Sequence, residues 1–266
     1  MRRFFYDSFQ EYARECGIKK INFILKTNDA LSKRTIEERV LNQLELISEF
    51  HSISCGFNGY LKRRINNDTC KLVEDYKVQI KRLSKYIERI RTDSTDSTGS
   101  TDSVVDNFLL EEGEAQVERA QKSIDSLEQH NYIDLVARSM KRVEICLTDV
   151  DFDNLVKGEG LEVVNFEDVA YNMVEMDAYY LLWKLKRKGI NIDYKKCIER
   201  FCELEGLEED SRDFILALLS YPHEFMKIYE KYRRNKKSWT EEEYIKRMKA
   251  AIKEDGISLI GEVKRC

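Results

Sequence analysis

Residues 144–168 read EICLTDVDFDNLVKGEGLEVVNFED, where carboxylates and carboxamides interleave with three short apolar pieces. Asp149, Asp151, Asp153 and Asn154 offer oxygen ligands of the kind that hard divalent cations take, and Asn165, Glu167 and Asp168 offer a second group beyond a glycine-containing turn. Mg²⁺ keeps several waters and binds through few protein oxygens plus phosphate, so two or three of these residues suffice for phosphoryl transfer. The same residues also suit a solvated acidic hairpin whose Asx side chains cap turns. On the local pattern alone that plainer reading is preferred.

The elements around this stretch must position it. The apolar pieces at 143–147 (VEICL) and 161–164 (LEVV) predict two short strands flanking the polar loop, arranged as a hairpin through VKGEG. Before it, positions 41, 44, 47, 50 and 53 are apolar and give one helix a buried stripe that stops near the Gly56 to Gly59 break. Leu72, Tyr76, Ile80, Leu83, Ile87 and Ile90 give the next helix its stripe. The first 20 residues suggest a short helix, and INFIL (21–25) reads as a strand. DSTDSTGSTDS (93–103) has no apolar side chain to bury, so 92–104 is expected to be a flexible loop. Further helices are predicted near 117–127 and 132–140, then over 174–188, 193–204, 210–234 and 240–253. Gly189, Gly206 and Gly256 mark stops, and Pro222 is placed to end one helix and open another.

Composition limits the function classes. A chain of 266 residues with 42% apolar residues can bury a core of one large or two small domains. Its 45 basic and 49 acidic residues leave a net charge of −4, which argues for solubility and against a general nucleic-acid-binding surface. No run approaches the roughly 18 apolar residues of a membrane span. The seven cysteines form no C-x-x-C pair, so reduced thiols and a cytoplasmic setting are expected. His51, His130 and His223 have no metal-like partner at short helical spacing. Two basic stretches stand out. Residues 61–91 hold ten basic and four acidic residues, and YEKYRRNKKSW (229–239) mixes cations with aromatics. Each suits an anionic partner, but a solvated helix face for the first and packing for the second are the readings preferred.

The order of motifs resembles the aminoglycoside-phosphotransferase and choline-kinase-like group, most closely its CotS-like spore-coat branch. In that family a His-Gly-Asp loop is followed five residues later by Asn, and a hairpin then delivers Asp-Phe-Asp. CLTDVDFDN presents this frame, with Asp149 at the catalytic-base position and Asn154 at a metal-ligand position, and VVNFED occupies the Asp-Phe-Asp segment. ISEFHSIS (47–54), containing His51, is similar to the family's helix ending in Phe-His. Asp177 in VEMDAYYLLWKL falls where the family places an Asp that supports the catalytic loop, and residues 218–239 resemble the branch's tyrosine- and lysine-rich helices.

The departures shape the expectation. Leu147-Thr148 replaces His-Gly, and Asn165 replaces the principal metal carboxylate, with Glu167 as an acidic neighbour that could compensate only with a shifted backbone. No glycine-rich phosphate loop occurs. The resemblance therefore implies a mostly α (α+β) fold: a protein-kinase-like C-terminal helical lobe with a short catalytic-loop hairpin, the N-terminal lobe largely absent. Residues 1–266 are expected to form a single domain, with 1–30 giving a short helix and hinge-like strand. Functionally it implies a noncatalytic pseudokinase-like structural or assembly protein, in the cytoplasm or spore coat, with a protein partner or homodimer. No cofactor is expected, or ATP and Mg²⁺ if activity survives, with Asn154, Asn165 and Glu167 as residual metal candidates and His51 and Asp177 as structural residues. The alternatives are a Mg-dependent small-molecule phosphotransferase whose nucleotide lobe is reduced or supplied in trans, and an anion-binding module.

Overall fold

The computed structural model of the protein describes residues 5–23, 34–96 and 103–261. The first part of the chain runs β1 (Phe5–Tyr6), α1 (Phe9–Glu15), β2 (Lys19–Lys20), α2 (Ile36–Ser54), β3 (Tyr60–Leu61), β4 (Asn66–Asn67) and α3 (Lys71–Asp96). It continues with α4 (Val104–Phe108), a π-helical turn (Leu109–Gly113), α5 (Glu114–Gln129), α6 (Tyr132–Arg142), β5 (Ile145–Cys146), β6 (Leu155–Lys157), β7 (Leu161–Val163) and β8 (Ala170–Tyr171). Helices α7 (Glu175–Arg187), α8 (Tyr194–Glu205), α9 (Glu209–Ser220), α10 (His223–Arg233) and α11 (Glu241–Asp255) complete it. This is the mostly helical α+β class expected from the sequence.

The chain forms two compact units. One comprises Met1–Cys70, His130–Lys184 and Asn191–Leu216, and the other Lys71–Gln129, Leu185–Ile190 and Ala217–Cys266. All eight strands belong to the first unit, in three small sheets ordered β1-β3, β2-β7-β6 and β4-β8-β5. β6 and β7 pair antiparallel, while β2 adds to β7 in parallel. Beside them lies α2, opened by a capping box in which Thr35 accepts from Glu38 N at 3.2 Å and the Glu38 carboxylate accepts from Thr35 N at 2.7 Å. Its buried stripe is Val40, Leu44, Ile47 and Phe50. Each such side chain contributes about 1.5–3 kcal/mol on burial, enough to hold a helix with modest intrinsic preference.

The second unit is built on α3, whose expected stripe is half-buried at Leu72 and buried from Tyr76 to Ile90. Tyr76 stacks on Tyr221 with centroids 3.6 Å apart and planes 3° from parallel. The expected long helix over 210–234 breaks at Pro222, which lacks the N–H to continue it. The Asp255 carboxylate caps the helix that follows, accepting from Glu224 N at 2.8 Å and Phe225 N at 2.9 Å.

Three expectations are corrected. The strand expected at 21–25 lies earlier, at Lys19–Lys20, because the Gly17 turn (φ +94°) aims the chain at β7 from there, and Ile21 N only adds a last bond to Val163 O at 3.0 Å. Residues 24–33 lie outside the described residues. The segment 143–147 is not one arm of the hairpin: β5 pairs with β8, and the hairpin is β6 with β7. The loop between β5 and β6 reverses the chain before the ladder starts, so Leu155 rather than Ile145 reaches the buried face opposite Val163. The expected loop 92–104 begins late, since α3 continues to Asp96 and Ser103 caps α4 by accepting from Asp106 N at 3.2 Å. An established helix propagates cheaply once nucleated, and the Arg91–Glu114 ion pair lies at that end. Residues 97–102 lie outside the described residues.

Candidate functional site

The loop after β5 is organised from below by α7. The Asp177 carboxylate, fully buried in the first turn of that helix, accepts from Leu147 N and Thr148 N, both at 2.8 Å. The helix start is itself held, because buried Glu144 accepts from Val174 N at 3.1 Å and pairs with Arg138. Arg138 also reaches Glu175 at 2.8 Å, which neutralises a second buried carboxylate.

His51 completes the support from α2. Its Nε2 lies 3.0 Å from Asp177 Oδ2 and its Nδ1 2.8 Å from Glu205 Oε1, with the ring 2% exposed. Burial opposes the charge, but the hydrogen bonds to Asp177 and Glu205 outweigh it, and the pKa rises well above the ordinary histidine value. His51 is thus an imidazolium between two carboxylates.

Thr148 carries the backbone consequence. Its φ of +68° lies in the left-handed region, where a β-branched residue is costly. The two bonds from Asp177 fix the turn regardless.

Asn154 ties the loop to the hairpin. Its Nδ2 donates to Asp149 O at 2.6 Å and Asn165 O at 3.1 Å, while its Oδ1 accepts from Asn165 N at 2.6 Å. Asn165 in turn uses Oδ1 to accept from Glu167 N at 2.9 Å, an Asx turn. The Gln43 amide, from α2, donates to Val150 O at 2.8 Å and Leu155 O at 3.0 Å, so the loop carbonyls are also satisfied. Lys184, one face along α7 from Asp177, places Nζ 2.8 Å from Asp151 and 3.3 Å from Asp149. Burial lowers its pKa, but Asp151 and Asp149 more than compensate and hold it above the usual lysine value.

The fold has a counterpart among solved structures. An aminoglycoside phosphotransferase from Alicyclobacillus acidocaldarius subsp. acidocaldarius DSM 446 superposes with a TM-score of 0.63 over 94% of this chain and 79% of that one, at 13% identity. The chain has an aminoglycoside-phosphotransferase-like fold. No family model matches the sequence, and no curated protein does.

Such a fold implies Mg²⁺ and ATP, and here several of the loop's ligand-type groups are engaged by the protein itself. Asn154 spends its amide on backbone groups, Asn165 brings no charge and caps Glu167, and Lys184 offsets one of the two charges of Asp149 and Asp151. Glu167 is held by its backbone N in the Asn165 turn. A divalent ion at Asp149 and Asp151 would compete with the Lys184 ammonium for their oxygens, and the two carboxamides would add no charge.

A different set of ligand-type atoms does converge: His51, Cys146 and Asp177, all buried, offer one atom each within 4.8 Å of one another. Tertiary folding brings this set together, and no short sequence spacing marks it. Burial, with Asp177 and other negative groups nearby, pushes the Cys146 thiol pKa well up, and its Sγ donates to Met173 O at 3.0 Å. Metal binding at this cluster requires His51 and Cys146 each to release a proton, and requires Asp177 to loosen its hold on the loop.

Sequence reasoning named Asp149, Asn154, Asn165, Glu167, His51 and Asp177, and the structure gathers them around one loop. Lys184, Gln43, Glu205 and Cys146 were missed. Lys184 had a signal, seven residues after Asp177 on the same helix face. Glu205 had none, one carboxylate in the run ELEGLEED.

Two outcomes follow from this geometry. Thr148→Gly removes a left-handed penalty of about 1–2 kcal/mol and adds about 0.5–1 kcal/mol of unfolded-state freedom. A net gain of about 0.5–1 kcal/mol is expected in urea unfolding, and a variant no more stable than the parent contradicts the strain. For His51, whose folded pKa is raised, the stabilising charge is fully present below about pH 6.5 and lost as pH rises through the folded value. The stability gap between the parent and His51→Gln should narrow above neutrality, by at most about 1.4 kcal/mol per pH unit. A gap constant from about pH 6 to pH 9 in denaturant titrations is incompatible with the imidazolium.

Proposed function

We propose that the chain is a noncatalytic, pseudokinase-like scaffold of the CotS-like spore-coat kind, acting in the cytoplasm or coat through protein contacts. The observation that carries this reading is the use of the loop's polar atoms: Asn154 and Lys184 satisfy the protein itself where a kinase needs open metal and phosphate ligands. The tyrosine- and lysine-rich segment 218–239 supports the spore-coat branch. Among the described residues no helix is long and apolar enough to cross a membrane.

The competing reading, Mg-dependent phosphoryl transfer to a small molecule with a nucleotide lobe supplied in trans, has support in the fold and in Asp149. That side chain stands at the base position and is 37% exposed. Calorimetric titration of ATP with and without Mg²⁺ separates the two. The scaffold reading expects no Mg-dependent increment in binding and no change on Asp149→Ala. A Mg-dependent heat that Asp149→Ala abolishes establishes the enzyme reading instead.

The partner is taken to be a second copy, meeting across α6. That helix exposes Ile133 (72%) and Met140 (67%) on one face with exposed Ala137 between them. Asp134 and Lys141 flank the stripe and make no ion pair among the described residues. Antiparallel pairing of two α6 helices sets Asp134 of one against Lys141 of the other, with the small Ala137 at the crossing. Sedimentation velocity should show a dimer that Asp134→Lys dissociates and that Asp134→Lys with Lys141→Asp restores. A parent that stays monomeric at about 100 µM, a concentration that detects the weak dimer expected of a small interface, refutes this pairing.

A further inference from the structure

The later part of the first basic stretch and the second stretch, read separately in the sequence, come together inside the second unit as the walls of an open cleft of about 710 Å³. This volume lies in the range of small-molecule sites. α3 contributes Arg82, Lys85, Tyr86 and Arg89, spaced to share one helix face. The opposite wall comes from α10, the start of α11 and the turn between them, with Tyr232, Arg233, Asn235 and Trp239.

One end of the cleft is cationic. Arg82, Arg233 and Arg234 share a single carboxylate, Glu230, at 3.5, 3.1 and 2.9 Å. Burial raises the Glu230 pKa, but Arg233 and the other guanidinium groups outweigh it and hold the pKa below the usual range. One anion against three cations leaves an excess of positive charge. Lys85 and Arg89 add to it. Both are exposed and neither has a carboxylate partner among the described residues; the Arg89 guanidinium sits 4.7 Å over the Tyr86 ring. Two unneutralised cations one helical turn apart are unfavourable unless solvent or an anion separates them.

The other end is aromatic. Tyr232 and Trp239 both line the cleft, half-buried, and each packs edge-on against Tyr244 with centroids 5.2 Å apart. The packing fixes both rings in place. Arg247 lies 3.9 Å from the Trp239 ring and Lys231 lies 5.8 Å from it, so positive charge is also present at this end, beside the lining carboxylate of Glu241, which accepts from Val104 N at 2.7 Å. Burial and neighbouring lysines, Lys227 first, lower the Lys231 pKa. Asn235 supplies a carboxamide at the rim, able to donate and accept at once.

We propose that this cleft binds a phosphate ester of a planar-ring compound, the chemistry of a nucleoside monophosphate, with its phosphate on Lys85 and Arg89 and its ring against Tyr232 and Trp239. Guanidinium and ammonium groups recognise phosphate through charge-assisted hydrogen bonds, and fixed aromatic side chains accept a planar ring at little entropic cost. The site needs no divalent ion, because the protein supplies the cations. It stands apart from the loop around Asp149 and does not rest on the scaffold reading.

The test uses the full chain as Trp183→Phe, which leaves Trp239 as its sole tryptophan fluorophore. It is titrated in EDTA with AMP, adenosine and inorganic phosphate. AMP is expected to change Trp239 emission with an affinity at least tenfold tighter than either fragment. Lys85→Glu with Arg89→Glu should weaken AMP at least tenfold, and Asp149→Ala should leave it unchanged. Because Lys85 and Arg89 are exposed, the double variant is expected to fold, which circular dichroism checks. Adenosine or phosphate binding as tightly as AMP overturns the proposal, as does AMP binding that survives the charge reversal or the absence of any response.

Discussion

One buried carboxylate sets the geometry of the first unit. Asp177 accepts two backbone N–H groups from a loop that has no regular structure, and pairs with a histidine charged by a second acid. Ionised carboxylates bonded to backbone donors and an imidazolium are the strong class of hydrogen bond, and their removal leaves orphaned groups in a dry interior. The rest of the loop is placed from this point. Leu147 and Thr148 fix the turn, the turn aims Asp149 toward Lys184, and Asn154 passes the constraint to the β6–β7 hairpin.

That dependence separates what holds the loop from what the loop presents. Support and catalysis use different atoms. Asp177 and Asn154 act on backbone groups, whose positions survive replacement of neighbouring side chains, whereas metal binding needs anionic oxygens pointed at empty space. Asp177 and Asn154 thus hold the loop from its underside through backbone groups, whichever side chains stand at Leu147, Thr148 and Asn165.

Much of this was legible in the sequence, for identifiable reasons. Helices α2 and α3 announce themselves through stripes that are buried except at their ends, where Leu41, Ile53 and Leu72 are half-buried, and Asp149, Asn154 and Asp177 through an order of motifs. The two-residue ladders β1–β3 and β4–β8 are too short to leave a period, and β5 was assigned to the wrong partner because alternation names a strand without naming its neighbour. The pairing of His51 with Glu205 joins residues 154 positions apart, which no local pattern encodes. The two basic stretches were each visible, but their convergence depends on how α3 lies beside α10 and α11.

The cysteines extend the same network into kinetics. Cys16 is exposed, whereas Cys146 is buried beside Asp177 with its thiol held in the protonated state. Among the chain's cysteines, a thiol reagent therefore reaches Cys16 at once and Cys146 only during an excursion that parts β5 from the start of α7. The ratio of the two labelling rates is an internal clock for opening of the loop, written into the chain without any engineered probe.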